Sequence, residues 1–229
     1  MMEDVPLFIP LIFGATTLMT LFLFYKGAHK DKTTLLVLAL WWIVQTVLGL
    51  LGFYTVLDTT PPRFLLLILP PLLLIALLFA TPKGRTYIDG LDSKTLTLLH
   101  TIRIPVELVL FWLFLEGTLP ELMTFEGRNF DILAGLSAPL VYYFGFVKKK
   151  LSPAIMILWN LIALGLLINI VVNAILSAPL PFQQFAFDQP NIAVLHFPYN
   201  WLPACVVPLV LFSHLVNLRQ LSQGKYHSP

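Results

Sequence analysis

Three ionisable side chains with helical spacing lie in the otherwise apolar stretch LHTIRIPVELVLFWLFLEG, residues 99 to 117. His100, Arg103 and Glu107 are three and four residues apart, so they fall on neighbouring turns of one helix face. A lone charge inside a bilayer costs at least about 2.5–3.5 kcal/mol, so this face must meet protein or water. We therefore expect Arg103 and Glu107 to interact directly or through one water molecule. Two interpretations stay open: a ligand or proton-relay site, and a structural ion pair.

Polar residues in two later apolar stretches are candidate partners for these three side chains. His214 and Asn217 share one face of the last stretch, and Asn160 and Asn169 lie in the one before it. His100 with His214 could ligate a haem iron or a divalent metal, because histidine is a common ligand of both. The alternative is hydrogen bonding between helices. The candidates for ligand binding or proton relay are His100, Arg103, Glu107, Asn160, Asn169, His214 and Asn217.

A second group of charged residues follows directly, in EGTLPELMTFEGRNFD, residues 116 to 131. Its carboxylates could hold a hard cation through oxygen ligands, although their spacing is not that of an EF-hand loop. The alternative is a solvated loop in which the arginine forms an ion pair. With one histidine from a later loop, the candidates at this outer rim are Glu116, Glu121, Glu126, Arg128, Asp131 and His196.

The elements that must position these residues are membrane-spanning helices. Of 229 residues, 58% are hydrophobic and only 11% are charged, whereas soluble domains have roughly a quarter charged residues. Apolar stretches of about 20 residues, the length that crosses a bilayer, follow one another with short breaks. We predict an all-α fold, a single transmembrane domain of seven helices over residues 1–229. The spans lie near 5–25, 33–57, 64–80, 95–118, 130–147, 153–177 and 201–221.

The loop charges predict the orientation of this bundle. Eleven of the 14 basic residues lie on alternate loops, and only Arg63 and Arg128 lie on the other set. The positive-inside rule then places the N-terminus outside and the C-terminus in the cytoplasm. An odd number of spans requires the same arrangement. The predicted partner common to all seven spans is the lipid bilayer.

Several function classes are excluded by what the sequence lacks. A retinal protein needs a lysine in its last span for the Schiff base, and WLPACVVPLVLFSHLVNLRQL has none. Cys205 is the single cysteine, so neither an intramolecular disulfide nor a cysteine-based metal cluster can form. The basic residues are spread over loops and not gathered into a patch, so we expect no nucleic-acid partner.

The segment MTFEGRNFDILAGLSAPLVYYF, together with HTIRIPVELVLFWLFLEG before it, resembles a group of uncharacterised bacterial multi-pass membrane proteins over residues 99–144. The resemblance implies a bacterial cytoplasmic (inner) membrane protein and no particular activity. Three hypotheses on function remain. The protein binds or transports a small molecule through a polar cavity lined by the fourth span; it is a membrane-embedded enzyme acting on a lipid or quinone-like substrate; or it is a non-catalytic subunit, sensor or scaffold. The sequence leaves the oligomeric state open.

Overall fold

The computed structural model describes residues 5–224, and all regular secondary structure in this part of the chain is helical, without strands. Short 3-10 or π turns extend or join several of the helices. The helices are α1 Phe8–Gly27, α2 Lys32–Leu50, α3 Leu65–Ala80, α4 Pro82–Asp89, α5 Ser93–Leu99, α6 Arg103–Leu115, α7 Ile132–Val141, α8 Pro153–Ser177 and α9 Val207–Ser222.

Polar side chains at the ends of the apolar stretches start several of these helices. Asp31 accepts a hydrogen bond from the Thr34 amide at the beginning of α2, and Asp92 caps α5 in the same way. Ser152 caps α8, which begins with Pro153. A capping oxygen satisfies an amide that has no partner within the helix, so these residues fix where the helices begin.

The prediction of an all-helical membrane protein is confirmed. Five helical segments are long and apolar enough to cross a bilayer, and a sixth crossing results if α3 and α4, which meet at 94°, form one bent span. The remaining apolar segment, Ile132–Val147, is shorter than these spans. The second predicted span extends too far, because α2 ends at Leu50 and Gly52 then adopts a left-handed φ of 64°. The count of seven crossings stays a prediction.

Helix α9 lies at the centre of the bundle and α2 at its edge. Of the 18 most apolar consecutive residues in Leu202–Ser222, 67% are buried, whereas the corresponding share in α2 is 17%. Helix α9 packs against α5 and α8, and α1 packs against α5 and α6. Half of the fourth span, Ser93–Leu115, is buried, and its polar face packs against other helices.

Candidate functional site

A short break in the fourth span presents the three predicted side chains to the bundle interior. Residues 100–102 form a 3-10 turn between α5 and α6. Pro105 has no amide hydrogen to donate four residues back, which favours this tighter turn just before it. His100, Arg103 and Glu107 are 0%, 2% and 1% exposed. All three are buried, as the cost of exposing them to lipid requires.

Arg103 joins the fourth span to three other parts of the bundle. Its Nη1 lies 3.1 Å from Oδ1 of Asp131, an ion pair without hydrogen-bond alignment. The same nitrogen donates to the Ala163 carbonyl of α8 at 3.2 Å. Its Nη2 lies 3.1 Å from Nε2 of His214 in α9. Among the described residues Arg103 pairs directly with Asp131, which precedes α7, and not with Glu107, so the direct form of the expected Arg103–Glu107 interaction is wrong, and the form through one water molecule stays a prediction.

The partners of His214 define its tautomer. A guanidinium group can only donate, so Nε2 of His214 must accept from Arg103. The proton therefore sits on Nδ1, which donates to Oδ1 of Asn160 at 2.9 Å. The Asn160 amide in turn donates to the Met156 carbonyl. His214 is thus a neutral acceptor for Arg103, and Asn160 holds it in that form.

His100 stacks on His214 and does not converge with it on a common point. The centroids of the two imidazole rings are 3.8 Å apart, and the rings are inclined by 16°. The Trp159 ring makes a T-shaped contact with the His100 ring. Nitrogen lone pairs lie in the ring planes, so two stacked imidazoles do not aim at one iron or metal ion. Within residues 5–224, neither nitrogen of His100 has a hydrogen-bond partner. In the described chain, no three His, Cys, Asp or Glu side chains form a group that could hold a metal.

Glu107 is held by Asn129, a residue that the sequence analysis missed. The Asn129 amide donates to Oε2 of Glu107 at 2.6 Å and to the Met123 carbonyl at 3.0 Å. Its Oδ1 accepts from the Asp131 amide, and Asn129 is fully buried. The sequence signal was an asparagine two residues before a residue that opens a helix, which is typical of an Asx turn. Asn129 thereby places Asp131 next to Arg103.

Arg103, Glu107 and Asp131 line one cavity of about 220 Å³. Apart from Asn191, the remaining lining is apolar and comes mainly from α3, α6, α8 and the chain around α9. Examples from these elements are Ile68, Val106, Leu110, Val171 and Val206. A wall that is apolar except for a few convergent polar groups is typical of small-molecule sites.

A larger cavity of about 630 Å³ lies between α1, α2, α3 and α9. Asp31, Thr34 and Tyr87 mark one end of it, and the Thr34 and Tyr87 hydroxyls are 2.9 Å apart. The pKa of Asp31 lies below its ordinary value of 3.8 because the Thr34 amide and hydroxyl donate to its carboxylate. The other lining residues are almost all apolar, so this cavity lacks the buried charges of the smaller one.

The other candidates lie outside the Arg103 network. Asn217 is buried and donates to Thr97 at 3.1 Å, which links α9 to α5. Asn169 is exposed and donates to the Arg128 carbonyl. His196 is partly buried, with Nδ1 bonded to the Ile192 carbonyl of its own turn. Of the outer-rim group only Asp131 is buried, and the exposed members are Glu116, Glu121, Glu126 and Arg128.

Comparison with known proteins adds a family and no activity. The family model DUF8737, a domain of unknown function, matches residues 61–222. The chain belongs to this family. The match covers every residue of the Arg103 network and ends with α9, so the network lies wholly within the DUF8737 domain. No curated protein and no solved structure matches the chain.

Proposed function

We propose that this DUF8737 protein crosses the bacterial inner membrane seven times, with its N-terminus outside. The segment Ile132–Val147 would be the fifth crossing, and the bend of 94° after α3 would lay α4 along the cytoplasmic surface. The distribution of basic residues over alternate loops supports this orientation. A reporter active only in the cytoplasm should give signal when fused after Pro229 and none when inserted after Pro120. The reverse pattern would contradict the topology.

We propose further that the protein binds a small, largely apolar molecule that carries one polar group. The observation that carries this proposal is the placement of Arg103, Glu107 and Asp131 on the wall of one apolar cavity. Ionisable groups are costly inside a membrane and commonly mark ligand or ion sites there. A cavity of about 220 Å³ holds roughly seven water volumes. That volume suits a ligand of few atoms.

The three ionisable groups divide into a structural part and a binding part. Arg103 is occupied by a carboxylate, a carbonyl and an imidazole, and these contacts tie α6 to α8, α9 and the start of α7. This arrangement supports the structural interpretation for Arg103. Glu107 makes one hydrogen bond with the described residues, through Oε2, so its other oxygen is available to a ligand.

Filling the cavity tests this proposal. Val171 lies on the α8 wall and is only partly buried, so Val171→Phe should narrow the cavity without disturbing the Arg103 contacts. Val47→Phe, at an exposed position on α2, is the matched control. A panel of small neutral, cationic and anionic amphiphiles is then screened by thermal unfolding in lipid nanodiscs. A ligand at about 100 times its Kd adds about 2.7 kcal/mol of stability.

We expect at least one compound to stabilise the parent and Val47→Phe but not Val171→Phe. Chemical turnover of that compound would assign the protein to the enzyme hypothesis, with a lipid or quinone-like substrate. If no compound in the panel shows this pattern, the binding proposal is wrong. The buried polar groups would then have the purely structural role of a subunit or scaffold.

A further inference from the structure

The cavity wall carries one arginine, Arg103, and two carboxyl groups, Glu107 and Asp131. Arg103 and Asp131 form a close ion pair, and both side chains are almost fully buried. Glu107 has a neutral partner, the Asn129 amide. In the part of the chain that the structure describes, Glu107 therefore lines an apolar cavity without a cationic partner of its own. A carboxyl group in such surroundings is held either as the neutral acid or as the partner of a cation.

Arg103 is not available to bind an anionic ligand. Its Nη1 and Nη2 are directed at Asp131, Ala163 and His214. Its remaining nitrogen, Nε, has no hydrogen-bond partner among the described residues, but it is buried from solvent and therefore out of reach of a ligand in the cavity. An anionic ligand would therefore have to displace Asp131, and it would then lie beside two carboxyl groups. The cavity is therefore unfavourable for anionic ligands, although Arg103 lies on its wall.

We infer that the ligand of this cavity is a small organic ammonium ion with an apolar body. The ammonium group donates to the free oxygen of Glu107, and the hydrocarbon body packs against apolar residues such as Ile68, Val106 and Leu110. Charge-assisted hydrogen bonds are about twice as strong as neutral ones. This inference rests on the proposed function and specifies the ligand that the same cavity selects.

Three probes of matched size separate the contribution of charge from that of shape. n-Hexylammonium, 1-hexanol and hexanoate each contain six carbons, carry a cationic, a neutral and an anionic head group, and are small enough for the cavity. Their affinities are measured in nanodiscs by isothermal titration, with Val171→Phe as the blocked reference for partitioning into lipid. We expect n-hexylammonium to bind about ten- to a hundredfold more tightly than 1-hexanol, with hexanoate the weakest.

Glu107→Gln tests whether Glu107 provides this preference. The amide oxygen of glutamine can still accept from Asn129, so the contact survives while the charge does not. This variant should bind n-hexylammonium and 1-hexanol within about threefold of each other. A retained preference for the ammonium would overturn the assignment to Glu107. If the variant does not fold, the three probes in the unaltered protein still decide the question.

The outcomes separate the two proposals. Equal affinity for 1-hexanol and n-hexylammonium, blocked by Val171→Phe, would overturn the ammonium inference and leave the binding function standing. Tightest binding of hexanoate would overturn it as well and would reassign recognition to Arg103. If none of the probes binds the unaltered protein above the blocked reference, the inference fails, and the amphiphile screen decides the binding function separately.

Discussion

Replacing Arg103 with methionine removes a buried cation while keeping a side chain of comparable length. Asp131, whose side chain is 6% exposed, would lose its countercharge. The Ala163 carbonyl and Nε2 of His214 would lose a donor at the same time. Breaking a buried ion pair costs about 3–5 kcal/mol. We expect Arg103→Met to lower the free energy of unfolding by about 4 kcal/mol, and Asp131→Asn by about 3 kcal/mol.

The double replacement should cost less than the two single ones together. Arg103→Met with Asp131→Asn leaves no unpaired charge, only two acceptors without donors, at about 1–3 kcal/mol each. Asp131 makes no side-chain cap on α7, so asparagine loses nothing there. We therefore expect a double-mutant coupling of about 3 kcal/mol, measured from helicity during unfolding by a denaturing detergent.

A second ion pair in the same protein is the control for this measurement. Arg219 and Asp89 are joined by two hydrogen bonds, but their side chains are 23% and 21% exposed. The same cycle there should give a coupling of about 1 kcal/mol or less, since solvent screens exposed pairs. If the effects of Arg103→Met and Asp131→Asn on the free energy of unfolding add to within about 0.5 kcal/mol, the ion pair between these two residues does not stabilise the fold.

Four further predictions concern single substitutions at other positions in the fold. Gly127→Ala should destabilise the protein by about 1–3 kcal/mol in thermal unfolding, because its Cβ would lie 2.3 Å from a backbone oxygen. Gly165→Ala, which meets nothing within 4 Å, should instead stabilise helix α8 by about 0.5–1 kcal/mol. The lowered pKa of Asp31 means that its carboxylate stabilises the fold above pH 3.8 and that this contribution is lost as the pH falls through the folded-state pKa. The stability difference between the parent and Asp31→Ala should therefore shrink on acidification, and a constant difference would contradict the cap. Gln220→Leu should lower the melting temperature, because Gln220 bonds a buried serine and two backbone carbonyls.

The sequence alone indicated that the fold is all-helical and which face of the fourth span is buried. Long apolar stretches must become helices in a bilayer, because only a helix or a closed barrel satisfies every backbone group there. The spacing of His100, Arg103 and Glu107 then placed them on one face, and the cost of exposing charge to lipid turned that face inward. These conclusions depend only on the local sequence and on the bilayer that surrounds it, and neither requires knowledge of the tertiary structure.

The partners of that face were decided only by tertiary structure. From the sequence, Asp131 belonged to an outer loop that either holds a cation or is solvated, and Arg103 was expected to interact with Glu107 directly or through one water molecule. In the folded chain, Asn129 and Asp131 are buried in the bundle just before α7. Asn129 binds Glu107, and Asp131 pairs with Arg103. Hydrogen bonds between residues far apart in sequence depend on how helices and loops pack, and no spacing rule contains that information. The free oxygen of Glu107, on which the proposed ligand depends, is a consequence of this packing.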